Sequence, residues 1–281
     1  MRRIVATVVL MLASLLGAAA RAQTFPAAFA PLYCQRGVMV DAYRDQAGAI
    51  DDRDIVGTPD RPAGFRAVDG QFLYLRMRLD GSPMQGNGLT QFAWGFEFDT
   101  DGDPTTYEVL IAVDGASATV RLYSNTVTTV PDSPADPADQ LVMSYPFAQN
   151  GRLVDAGPSI FGGGTDTFID MAVPWSDLGT LRLGPATAVA IWAASSTNPD
   201  RLDGDFACHD GGGAANIPSL SATRPTPVAV DPTRGGNVLA NSGIEGGPGC
   251  NCRVQGTGEA WLPAVIVLIG VAWICRRRRS T

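Results

Sequence analysis

An all-β fold, an antiparallel two-sheet sandwich of jelly-roll-like type, is the class this sequence predicts for its central part. Three observations predict it. Short runs alternate apolar and polar residues with period two. Gly, Asp, Asn and Pro punctuate those runs closely. No segment before Trp261 sustains a helical period beyond a turn at Trp175 to Leu178. Turn signals at this spacing favour stacked sheets over helical or doubly wound architectures.

The chain opens with a leader. Arg2-Arg3 is a positive start, Ile4 to Leu16 an apolar stretch and Ala20-Arg21-Ala22 a small-x-small site. This pattern predicts a signal peptide over 1–22, cut after Ala22, and so an exported chain. The sandwich is expected over 23–216. Gln71 to Leu79 reads as a long edge strand, with Leu73, Leu75, Met77 and Leu79 on one face and Tyr74, Arg76 and Arg78 on the other. Thr90 to Phe98 gathers Phe92, Trp94, Phe96 and Phe98 on one side, with Glu97 opposite. Tyr107, Val109, Ile111 and Val113 repeat the stripe, followed by Ala118, Val120 and Leu122. Ile169, Met171 and Val173, then the apolar run Ala188 to Ala194, supply the later strands. The Pro- and Gly-rich stretch 217–249 reads as a linker.

The tail, 250–281, has its own logic. An apolar segment, 261–275, is followed at once by the arginine cluster 276–279. As a helix, fifteen residues span about 22 Å, short of a hydrocarbon core of about 30 Å. Snorkelling arginines and flanking tryptophans can still hold such a segment in a membrane, with the arginines cytoplasmic. Gly249-Cys250, this short apolar segment and the arginine cluster together resemble the MYXO-CTERM sorting domain of myxobacteria and related bacteria. The resemblance implies action by a sorting protease at or near Cys250, with Cys252 as the neighbouring alternative. It also implies retention at the outer surface of the cell envelope, through a lipid on that cysteine or through the helix. An uncut single-pass anchor is the alternative.

Charge and cysteine usage agree with export. The chain carries a net charge of −7, with arginine as its only cation besides His209. Without the three leader arginines, the five tail arginines and Glu259, the body 23–249 holds 13 basic and 27 acidic residues, a net of −14. Such a body disfavours nucleic acid and anionic lipid as partners and suits divalent cations. Cys34 and Cys208 are the body's two cysteines. An oxidising compartment favours a bridge between them over two unrelated thiols, worth roughly 4–5 kcal/mol in the chain-entropy account.

Four features in order, Asp41-Ala42, the strand Gln71 to Leu79, Phe98 to Asp103, and Phe168 to Leu178, resemble the β-sandwich group that includes family 9 carbohydrate-binding modules and DOMON-like domains. That group hosts sugar binders, haem carriers and structural modules, so the resemblance implies a fold more than an activity. Within it, Asp99, Asp101 and Asp103, with Glu108 from the next strand, are the candidate calcium ligands. Alternate carboxylates on a turn can converge on one hard cation, while Asp and Gly also simply favour turns. A second acidic loop holds Asp200, Asp203 and Asp205.

Tyr74, Arg76 and Trp192 are the candidate contacts for a polysaccharide, aromatic platforms beside a hydrogen-bonding group. Trp94 and Tyr107 fall in the apolar stripe and read as core. Catalysis is not indicated. His209 is the sole histidine, no Gly-x-Ser-x-Gly motif accompanies it, and zinc-type clusters are missing from the sequence. Haem ligation would have to pair His209 with Met77 or Met84. The sequence thus predicts a surface-anchored, non-catalytic ligand-binding module, with a structural or adhesive protein as the alternative and a hydrolase third.

Overall fold

The period-two runs fold into strands whose apolar faces meet between two sheets. The computed structural model describes residues 23–234 except 36, 46–49, 160, 162–163, 209–218 and 224. The chain divides into two units, 1–241 and 242–281, and every described residue lies in the first. The leader with Ala22, His209, Cys250, the apolar segment 261–275 and the arginines 276–279 lie outside the described residues. Among the described residues no helix is long and apolar enough to cross a membrane.

In chain order the strands are β1 (Ala30–Pro31), β2 (Tyr33–Cys34), β3 (Gly37–Val38), β4 (Gly64–Val68), β5 (Phe72–Leu79), β6 (Met84–Gln85), β7 (Gly88–Leu89), β8 (Ala93–Asp99), β9 (Val109–Asp114), β10 (Thr119–Ser124), β11 (Gln140–Pro146), β12 (Gly151–Pro158), β13 (Thr165–Pro174), β14 (Ala188–Ser196), β15 (Asp205–Phe206) and β16 (Val228–Ala229). The first sheet has the order β1-β4-β5-β13-β12. The second runs β11-β10-β9-β8-β14-β15, with β16 also on β14. Every strand pairing is antiparallel.

The core lies between the sheets. Leu73, Leu75, Met77 and Leu79 of β5 and Ile169, Met171 and Val173 of β13 face Trp94, Phe96 and Phe98 of β8, Ile111 and Val113 of β9 and Ile191 of β14. Each large apolar side chain so buried contributes about 1.5–3 kcal/mol. The alternation in the sequence therefore identified the inner faces correctly. The position of β5 is a correction. It is central, hydrogen-bonded to β4 and β13, and not an edge.

Parts of the outer faces are covered too, which the alternation did not reveal. Phe25 and Phe29 of the N-terminal segment pack on the outer side of the first sheet around Ala67, Tyr74 and Ala172. On the second sheet, Leu110, Ala112, Trp192 and Ala194 are buried with Leu202, Phe206 and Leu220. The linker boundary at 217 also needs correction. Val228–Ala229 adds to β14, and Leu220, Val228 and Val230 are buried. The sandwich thus includes 219–223 and 225–234. Its prolines interrupt strand pairing while its valines still fill the core, and composition alone reported only the prolines.

Cys34 and Cys208 form the disulfide, with Cα atoms 5.5 Å apart across a sequence separation of 174. It joins the β2–β3 hairpin to the residues just after β15. The Cys208 N–H, donating to the Val40 carbonyl at 2.8 Å, closes the same junction.

Candidate functional site

The loop from Asp99 to Glu108 connects β8 to β9 and holds the carboxylates expected to bind calcium. Asp99 Oδ1 accepts the Gly102 N–H at 2.6 Å, and Asp101 Oδ1 accepts the Asp103 N–H at 2.9 Å. Asp103 Oδ1 accepts both the N–H and the hydroxyl of Thr105. Glu108 accepts the Thr100 N–H at 2.7 Å and the hydroxyls of Thr100 and Thr106. Gly102 adopts φ +90°, a conformation that favours glycine. One oxygen each from Asp99, Asp101 and Glu108 lies within 4.8 Å of the others, a grouping that does not include Asp103. Burial raises the Glu108 carboxyl above its ordinary value, against the Thr100 and Thr106 hydrogen bonds that lower it. The loop's own amides and hydroxyls already serve these carboxylates, so the turn is held together by its side chains.

A second grouping was not read from the sequence as a site. One oxygen each from Asp41, Asp45 and Asp205 also lies within 4.8 Å of the others, and all three residues are buried. Asp205 comes from β15. Gly204 lets that strand approach β14, because a Cβ there would lie 2.6 Å from the Ser195 carbonyl oxygen. Asp205 Oδ2 accepts the Ile55 N–H at 2.6 Å. Asp41 is fixed by reciprocal backbone hydrogen bonds with Gly57, at 3.2 and 3.0 Å. Neither carboxylate oxygen of Asp41 accepts a hydrogen bond from an N–H or hydroxyl, although the residue is only 3% exposed. Burial first, then the neighbouring Asp205 and Asp45 carboxylates, push the Asp41 carboxyl far above its ordinary value. Burial does the same to Asp205. Adjacent Asp54, which accepts the Arg44 N–H, is raised by burial to about 7. The Asp200, Asp203 and Asp205 loop is therefore divided. Asp205 turns to Asp41, while Asp203 accepts the Ser196 hydroxyl and pairs with Arg201.

The expected sugar contacts are occupied otherwise. Tyr74 is buried and donates to Asp69 at 2.6 Å. Arg76 makes a bidentate pair with buried Asp170, at 2.7 and 2.8 Å, which Arg152 joins from β12 at 2.7 Å. Its guanidinium lies between the rings of Phe29 and Phe168, at 4.1 and 4.5 Å. Trp192 is buried opposite Glu97 in the β14–β8 register. The outer faces read as available are therefore internal, because Phe25, Phe29, Leu202 and Leu220 cover them. Trp94 is core as expected. Tyr107 is buried as well, but in the outer cluster of the second sheet, where its hydroxyl donates to the Asp136 carbonyl at 2.7 Å.

A cleft of about 320 Å³ opens beside the Asp41 region, lined in part by Tyr43, Asp51, Asp80, Ser82, Ser159 and Thr165. Tyr43 stacks on Phe161 with centroids 5.7 Å apart and 8° between planes, and the Arg44 guanidinium lies 4.9 Å from the Tyr43 centroid. Asp80 accepts the Ser159 hydroxyl at 2.8 Å. The density of acids at Asp41, Asp45, Asp51, Asp52 and Asp54 was the one sequence signal for this region, and it reads equally as a solvated loop. Fold and site together define an all-β, disulfide-linked sandwich with two carboxylate groupings. Comparison with protein-family models, curated proteins and solved structures finds no match to this chain.

Proposed function

We propose that this chain is an exported, non-catalytic β-sandwich held at the outer surface of the cell through its tail, where it acts as a structural or adhesive module. The observation that carries this reading is the covering, by the chain's own segments, of the outer face around Tyr74 and Arg76 on the first sheet and around Trp192 on the second. Tyr74, Arg76 and Trp192 are engaged inside the protein, so the flat platforms a polysaccharide would stack on are already occupied. The leader, the disulfide and the MYXO-CTERM-like tail support the surface destination. Processing at Cys250, by a sorting protease or with lipid attachment, belongs to the same proposal, as does any calcium held by Asp99, Asp101, Asp103 and Glu108.

A second reading, a carbohydrate-type ligand, is favoured by the cleft at Tyr43. Aromatic edge, two carboxylates and three hydroxyls are groups that orient sugar hydroxyls. Retention of the folded chain on a panel of insoluble polysaccharides separates the two readings. The structural reading predicts no retention with or without calcium. Retention that Asp80→Ala abolishes would overturn it in favour of the cleft.

A further inference from the structure

We propose that Asp41, Asp45 and Asp205 form a binding site for one hard divalent cation, calcium by preference, which clamps the segment beginning at Asp41 to strand β15. Three oxygens within 4.8 Å of one another suit a single ion, since ligands on opposite sides of calcium, each about 2.3–2.6 Å from it, lie about 5 Å apart. The donor set is oxygen only, which selects calcium, magnesium or manganese over zinc.

The observation that distinguishes this group from a solvated acidic cluster is Asp41. Its carboxylate is enclosed, neither oxygen accepts a hydrogen bond from an N–H or hydroxyl, and the side chain that meets it is another carboxylate, Asp205. Among the described residues, the charged groups that act on it most strongly are the carboxylates Asp205, Asp45 and Asp54. An uncompensated buried charge costs several kcal/mol, and a divalent ion at the centre turns the mutual repulsion into shared ligation. The Asp99 loop differs, because its carboxylates are served by local amides and hydroxyls. The two groups also stand at opposite ends of β8. Asp205 pairs with Ser195, which pairs with Trp94 near the start of that strand, whereas Asp99 ends it.

The position gives the ion a structural consequence. Asp41 and Asp45 follow the β2–β3 hairpin, and Asp205 precedes Cys208 by three positions. The ion and the disulfide would therefore cross-link the same two parts of the chain, the ion from the side that holds Ile55 and Gly57. If no ion binds, one proton shared between Asp41 and Asp205 is the remaining way to relieve the repulsion.

The test is calorimetric titration and thermal unfolding of the full chain, stripped with a chelator and then supplied with calcium alone or magnesium alone. The proposal predicts saturable calcium binding and a higher unfolding midpoint in calcium. Asp41→Asn and Asp205→Asn should each weaken that binding at least about tenfold, while Asp101→Ala leaves it intact. If Asp99 to Glu108 also binds, Asp41→Asn removes one of two binding classes. Asp41→Asn should melt no lower than the parent in chelator, because its amide N–H can take the place of the proton shared with Asp205, and lower than the parent in calcium. That crossing separates loss of a ligand from loss of folding. A folded parent with no calcium heat and no midpoint shift would overturn the proposal and assign the pair a shared proton. Calcium binding that Asp101→Ala abolishes and Asp41→Asn does not touch would overturn it as well.

Discussion

Asp136 holds the cover of the second sheet by folding the loop that carries it around one carboxylate. Its Oδ1 accepts the Thr129 N–H at 2.8 Å, the Thr129 hydroxyl at 2.7 Å and the Val130 N–H at 2.8 Å, and its Oδ2 accepts Asn125 Nδ2 at 3.0 Å. Although burial raises its carboxyl, the Thr129, Asn125 and Val130 hydrogen bonds outweigh that and leave it below its ordinary value of 3.8. A depressed carboxyl adds stability above the unfolded value, and that stability is lost as pH falls through the native one. Asp136→Asn should therefore cost about 1.5–3 kcal/mol near neutral pH. The gap from the parent should narrow below pH 3.8 as the parent's Asp136 is protonated. Chemical denaturation at a series of pH values measures this, and a gap constant with pH would contradict it. The same residue-scale logic explains why Asp41 was not legible. Asp45 is a near neighbour in the sequence, but Asp205 comes from a distant strand, and only the folded chain brings it to them.

Among the elements, the covering segments contribute more than their sequences suggest. The stretch 219–234 looks like a linker because of Pro225, Pro227 and Pro232, yet it buries Leu220 and lends β16 to β14. Ser221 adds two hydrogen bonds to Asp132, both at 2.8 Å. Leu220→Ala should destabilise the sandwich by about 2–5 kcal/mol, the cost of emptying a core site. A residue in a true linker would change stability by less than about 0.5 kcal/mol. Equilibrium unfolding decides between them. The core strands were legible because one buried and one apparently polar face impose period two, as at Leu73 to Leu79 and Trp94 to Phe98. Strands β11 and β12 were not. They are the outer strands of their sheets, and Leu141 and Met143 of β11 remain exposed, so burial imposes a weaker pattern there.

At the scale of the molecule, the described residues form a sandwich that covers the centre of each of its outer faces. Phe25 and Phe29 cover part of one sheet, Leu202, Phe206 and Leu220 cover part of the other, and the disulfide joins the β2–β3 hairpin to the residues after β15. The all-β class and the Cys34–Cys208 pairing were legible, one from periodicity and one from there being two cysteines in a body expected to be exported. The covers were not, since nothing local marks Phe25 and Phe29 as partners of Arg76 and Tyr74. Display of this domain at the cell surface is the claim on which the proposed function depends, and it can be read directly. Intact cells producing the tagged chain would be treated with an external protease, alongside cells carrying Cys250→Ala. The account predicts that the parent is cell-associated and protease-accessible and that Cys250→Ala changes its processing or retention. A chain protected in intact cells and digested only after lysis would contradict it.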